Sequence, residues 1–145
     1  MALSPASGCE LWAARPWRLS LYGEGLKRNG LERLAQRLGI SDRVVFAGFM
    51  RVEEIWARNH VLVMPSRLEG LPLAMVEAML CRRPVVATDV AGHAEIIQDD
   101  VTGFLADAPT PNSMATALER FWARRAEAEA IGMAASKANT PTCPA

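Results

Sequence analysis

Two acids eight positions apart, Glu69 and Glu77, stand in the stretch EGLPLAMVEAMLCRRPVVATD, residues 69–89. From Leu71 to Cys81 the run is built of leucine, alanine, methionine and valine after Pro72, and Glu77 is its single charge. Ionised carboxylates accept strong hydrogen bonds, and hydroxyl pairs are good donors to them. Gly70 and Pro72 mark the start of a helix, because proline's missing N–H removes no helical bond in the first turn. Glu69 then lies in front of the helix N-terminus. Glu77 lies about 9 Å further along the axis, at ~1.5 Å per residue. Between them the free N–H groups of the first turn and the helix dipole favour an anion. The order acid, amide nest, acid matches sugar hydroxyls, diphosphate and ribose hydroxyls in a nucleotide diphosphate sugar. Each acid also has a plainer reading. Glu69 could be a solvated loop residue, and Glu77 could sit on a wet helix edge or pair with an arginine.

The elements that must position these acids alternate along the chain. Trp17 to Tyr22 (WRLSLY) reads as a strand ending at Gly23-Glu24-Gly25. Leu26 to Leu38 has helical leucine spacing, with Gly39 as its stop. RVVFAG, residues 43–48, is a buried strand, followed by a short helix over Val52 to Arg58. HVLVMPS, residues 60–66, is a strand leading into the helix of the two acids, and PVVAT, residues 84–88, is the next strand. AGHAEII is a turn with a short helix, and GFLA begins at Gly103. Asn112 or Ser113 is expected to cap a helix reaching about Arg125, and a last helix reaches about Lys137. The strands are solid apolar runs, which points to a parallel sheet covered by helices on both faces. In such sheets ligands bind at the carboxyl ends of strands. Three loops there are distinctive: Gly23 to Gly25, Gly48 to Arg51, and Pro65 to Pro72.

Composition narrows the partners. The chain has 145 residues, half of them hydrophobic and 22% charged, with a formal net charge of zero. That is globular, and it gives no reason to expect broad electrostatic binding to nucleic acid or anionic lipid. The three cysteines, Cys9, Cys81 and Cys143, share no metal or disulfide spacing and read as free thiols. No apolar stretch reaches transmembrane length, so the expectation is a cytoplasmic protein, with peripheral membrane contact left open. Asp99-Asp100 sits in a turn signal, QDDVTG. The tail NTPTCPA is expected to be disordered.

PSRLEGLPLAMVEAMLCRRPVVATDVAGHAEII resembles the donor-binding, C-terminal domain of a GT-B glycosyltransferase of the family-4, or group 1, type. Glu69 and Glu77 match its E-x7-E pair. LYGEG, LGISDRVVFAGF, DVAGHAEII and TGFL extend the resemblance from about Trp17 to Arg125. It implies a Rossmann-like, doubly wound parallel sheet, one half of a GT-B fold. Residues 17–137 would form the nucleotide-sugar-binding domain, 1–16 an irregular start and 138–145 a disordered tail. The implied activity is transfer of a sugar from a nucleotide diphosphate sugar, with retention at the anomeric carbon. Glu69, the catalytic residue of the site, would contact the donor sugar, and Glu77 would hold the ribose. The amides at Gly70 and Leu71 would meet the sugar–phosphate region. Gly23 belongs to the donor loops, and Phe49 and Met50 would meet the base. No metal or other cofactor is implied, and Asp99-Asp100 lacks the D-x-D pattern of metal-dependent transferases. The acceptor, a carbohydrate or lipid-linked group, would be held by an N-terminal domain that this chain lacks, so the isolated chain is not expected to be active alone.

The chain departs from the family in two further places. The arginine and lysine that neutralise the diphosphate have no match near the start, where Ala2 and Ser7 fall in a loose alignment; Arg51, Arg67 or Arg82 could substitute. Arg82 stands where the family has glycine at the helix end, at a cost of about 1 kcal/mol in the left-handed conformation. His60 is expected to pack or cap at a strand start, and His93 to be a solvated residue of the glycine turn. Trp12, Trp17, Trp56 and Trp122 read as core and edge packing. The alternatives are a non-catalytic nucleotide-sugar-binding module or truncated fragment, and a glycosidase whose two carboxyl groups flank one bond ~5 to 10 Å apart.

Overall fold

The computed structural model describes residues 12–70 and 72–140. Leu71, the termini, Cys9 and Cys143 lie outside them, as do Ala2 and Ser7. The chain forms two compact units that meet in sequence between Ile55 and Trp56. Both are mixed α/β, and every strand pairing in them is parallel.

The first unit contains β1 (Leu19–Tyr22), α1 (Arg28–Arg37) and β2 (Val44–Gly48). Leu19, Ser20 and Leu21 pair with Val44, Val45 and Phe46, and a bulge then sets Tyr22 opposite Gly48. Gly23 donates its N–H to Gly48 O at 2.7 Å, so the ends of the two strands lie side by side. α1 is closed by Gly39 at φ +66°: Gly39 N–H bonds Gln36 O and Ile40 N–H bonds Ala35 O, both at 3.0 Å. This double bond pattern satisfies two of the last carbonyls, and glycine takes the left-handed turn without strain. Residues 12–14 are helical. The Arg43 guanidinium ties them down by donating to Ala13 O and Arg15 O at 2.7 and 2.9 Å.

The second unit is built on β3 (Leu62–Met64), β4 (Val85–Thr88) and β5 (Gly103–Ala106), in that order. α2 (Val52–Arg58) precedes it, and α3 (Leu73–Leu80) links β3 to β4. α4 (His93–Ile96), α5 (Pro111–Ala123) and α6 (Ala128–Asn139) complete the order. All residues of β4 and β5 are buried, as solid apolar runs demand. Val86, Phe104 and Ala106 pack on Met114, Ala117 and Phe121 of α5 and on Ile131 of α6. The Phe104 and Phe121 rings meet edge to face at 5.9 Å. The helix α5 starts two to three residues earlier than Asn112 or Ser113 would set it. Thr110 is the cap, accepting from Ser113 N–H at 3.3 Å, and Pro111 fills the first position. α6 runs through Ala138 and Asn139, two residues of the expected tail.

Candidate functional site

β3 is shorter than the predicted residues 60–66. Its ladder to β4 closes at Met64↔Ala87, because Pro65 has no N–H to continue it. His60 precedes the strand and is exposed, so the packed or capping role expected for it does not hold. The chain leaving β3 is instead held by side chains. Thr88, the last residue of β4, donates its hydroxyl to Ser66 O at 2.5 Å. Ser66 in turn donates its own hydroxyl to Glu69 Oε1 at 2.7 Å. Glu69 is therefore half-buried and fixed at one oxygen rather than freely solvated.

α3 begins directly after this loop. Pro72 is its cap residue, and no side chain caps the helix start. The first N–H groups are therefore available to an outside acceptor. Gly70 is exposed in front of them, and Leu71 is not among the described residues. Glu77 lies five residues past Pro72, ~7.5 Å along the helix axis. Its carboxylate is half-buried and has no hydrogen-bond or ion-pair partner among the described residues. The arginine pairing considered for it is thus absent among them. The buried face of α3 is Met75, Ala78 and Met79. Glu77 shares its own side with Leu73 and Leu80, which are 60% and 50% exposed. The carboxylate stands among exposed apolar side chains, not inside the core.

α3 ends with the same bond pattern as α1. Arg82 N–H reaches Met79 O at 2.9 Å, and Arg83 N–H reaches Ala78 O at 2.8 Å. Arg82 sits at φ +57°, the left-handed position expected for glycine. Its side chain is exposed. Arg51 pairs with Glu53 at 3.5 Å on the surface, and Arg67 is exposed.

β4 continues into a turn where Ala91 and Gly92 both have positive φ, +49° and +82°. This reversal folds His93 back under the strand end. His93 is 0% exposed, which overturns its reading as a solvated residue. Its Nδ1 lies 2.7 Å from Thr88 O and Nε2 has no partner among the described residues. Facing a carbonyl oxygen, Nδ1 must carry the hydrogen.

In the first unit, Phe49 is 80% exposed and Met50 half-buried just after β2. Gly23 (φ +96°) and Gly48 (φ +68°) form adjacent left-handed turns there. Asp99 and Asp100 do structural work: Arg120 pairs with both at 3.1 and 3.0 Å. Burial would lower the Arg120 pKa, but the hydrogen bonds and charges of Asp99 and Asp100 raise it above the ordinary value. The described residues hold no group of three or more His, Cys, Asp or Glu side chains placed to share a metal ion.

Ser66 and Thr88 join the candidate site through hydrogen bonds that the sequence analysis did not single out. Ser66 carried a signal, a hydroxyl three residues before an acid at a strand end. Thr88 carried none, since its contact depends on which strands lie side by side.

Comparison with known proteins places the chain. The profile of the family Glycosyl transferases group 1 matches residues 7–124, and the chain belongs to that family. It is 41% identical over 118 residues to D-inositol 3-phosphate glycosyltransferase of Streptomyces griseus, covering 79% of this chain and 25% of that protein. It is 38% identical over 110 residues to alpha-D-kanosaminyltransferase of Streptomyces kanamyceticus, covering 74% and 28%. The chain thus spans about a quarter of the length of these relatives. Among solved structures, HepE of Anabaena in complex with UDP superposes with a TM-score of 0.78 at 26% identity, over 90% of this chain and 38% of HepE. HepE has also been solved with UDP-glucose. The fold is Rossmann-like, as in GT-B glycosyltransferases.

Proposed function

We infer that this chain is the donor-binding part of a retaining glycosyltransferase whose substrate is a nucleoside diphosphate sugar. One observation carries the reading. Glu69, fixed by Ser66, and Glu77, without a partner among the described residues, flank a helix start that no side chain caps. A diphosphate at the α3 start would accept from the free N–H groups and draw on the helix dipole. Glu69 would accept from sugar hydroxyls on one side and Glu77 from the ribose on the other. The amides of Gly70 and Leu71 would meet the sugar–phosphate link. The helix amides supply the charge stabilisation that a metal supplies elsewhere, so no metal is required. The complexes of HepE with UDP and UDP-glucose support this class of donor. A glycosidase reading is disfavoured, since an uncapped helix start between two acids suits a phosphate better than a scissile bond between uncharged sugars.

A second reading is a binding module without turnover of its own. Transfer needs an acceptor held in line with the anomeric carbon, positioning worth ~7 to 11 kcal/mol. The test is a calorimetric panel of UDP, GDP, ADP and their glucose or mannose derivatives, alongside incubation with labelled donors and mixed acceptors. The expected result is saturable binding of one nucleoside diphosphate and its sugar, without transfer by the isolated chain. Robust transfer would contradict the donor-part reading, and failure of the whole panel would remove the donor itself.

A further inference from the structure

We propose that Thr88 and His93 are positioning residues that set the Glu69 carboxylate, and so the contribution of the donor sugar to binding, through Ser66. The inference deepens the donor reading and rests on it. The contacts link the buried end of β4 to the site residue by residue, the first two through main-chain carbonyls. His93 Nδ1–H donates to Thr88 O at 2.7 Å. The Thr88 hydroxyl donates to Ser66 O at 2.5 Å, just where the β3–β4 ladder has ended at Met64↔Ala87. The Ser66 hydroxyl donates to Glu69 Oε1 at 2.7 Å. Thr88 and His93 are 1% and 0% exposed, so neither touches a ligand; they act through the loop.

Two features separate this from ordinary core packing. First, the loop from Pro65 to Gly70 has no strand or helix bonds of its own, so the Thr88 hydroxyl is what anchors its backbone to β4. Second, His93 leaves Nε2 buried without a partner among the described residues. An unpaired buried nitrogen is a cost that an apolar side chain would avoid. The Nδ1–H aimed at Thr88 O is a contact that a histidine makes there and an apolar side chain could not. The sequence of bonds also explains why Glu69 uses only Oε1 internally. Its second oxygen is left for a ligand hydroxyl.

The test compares UDP-glucose with UDP on the full chain by calorimetry. The ratio of the two affinities is the contribution of the sugar. Ser66→Ala, Thr88→Val and His93→Leu should each lower that ratio by about 2- to 12-fold, the range for one net hydrogen bond, and leave UDP affinity unchanged. Thr88→Ser keeps the hydroxyl and His93→Asn keeps an N–H near the Nδ1 position, so both should retain the ratio. NMR supplies an arm that needs no ligand. The γ-methylene protons of Glu69 should be inequivalent in the parent and merge in Ser66→Ala and Thr88→Val. An unchanged ratio together with unchanged Glu69 protons in these two variants would overturn the proposal. If Thr88→Val does not fold, Ser66→Ala decides. If Glu69→Gln leaves the ratio intact, or UDP-glucose does not bind the parent, the donor reading of Glu69 fails while the Glu69 protons still decide the positioning.

Discussion

Arg82 shows how one residue can sit against its own backbone. A left-handed residue closes α3 at φ +57°, and the side chain that stands there is exposed. Glycine would relieve about 1 kcal/mol of strain, less what its freer unfolded chain gives back. Arg82→Gly should therefore raise Tm slightly, by up to about 2 °C, in a scanning experiment. A fall would mean that the guanidinium makes a contact worth more than the strain. At the same scale, Glu69 and Glu77 were legible because each broke a local pattern: an acid before Gly-x-Pro, and a charge in an apolar run. What the pattern hid was burial. The apolar neighbours Leu73 and Leu80 form an exposed flank, while the core face is Met75, Ala78 and Met79. Periodicity gives the faces of a helix without saying which one the sheet takes. His93 was misread for a related reason, since nothing local in AGHAEII tells that two successive positive-φ residues fold the ring beneath β4.

At the scale of elements, most boundaries followed from residue chemistry. Val52–Arg58 and Gly103–Ala106 stand where the sequence put them, and Gly39 stops α1. The misses are also chemical. β3 ends early at Pro65, and the pair Thr110-Pro111 outcompetes Asn112 and Ser113 for the cap. The close approach of α6 to the end of α3 was not legible, because it depends on two elements fifty residues apart in the chain, on the order of a domain's half-length. A Cβ built on Gly132 would lie 2.0 Å from Arg82 O and 3.2 Å from Arg83 N. Both are backbone atoms of the turn that closes α3, so no side chain can give way. Gly132→Ala should cost about 3 kcal/mol, the upper part of the overpacking range. Tm should fall by about 6 to 12 °C. An unchanged Tm would mean that α6 is free to shift away from α3.

At the scale of the whole molecule, the chain belongs to the Glycosyl transferases group 1 family and spans about a quarter of its curated relatives. Its second unit carries the buried sheet, the α3 start and both acids of the candidate site. Its first unit carries the paired glycine turns at the ends of β1 and β2, with Phe49 exposed beside them. The central claim is that Glu77 accepts hydrogen bonds from a nucleoside ribose. Glu77 is half-buried with no partner among the described residues, so its removal should leave folding intact. The most direct measurement is a calorimetric titration of the preferred nucleoside diphosphate into the parent chain and into Glu77→Gln, with circular dichroism to confirm equal folding. The account predicts that affinity weakens by about 1 to 3 kcal/mol, the range for hydrogen bonds to a charged acceptor. Equal affinity in two equally folded proteins would contradict it.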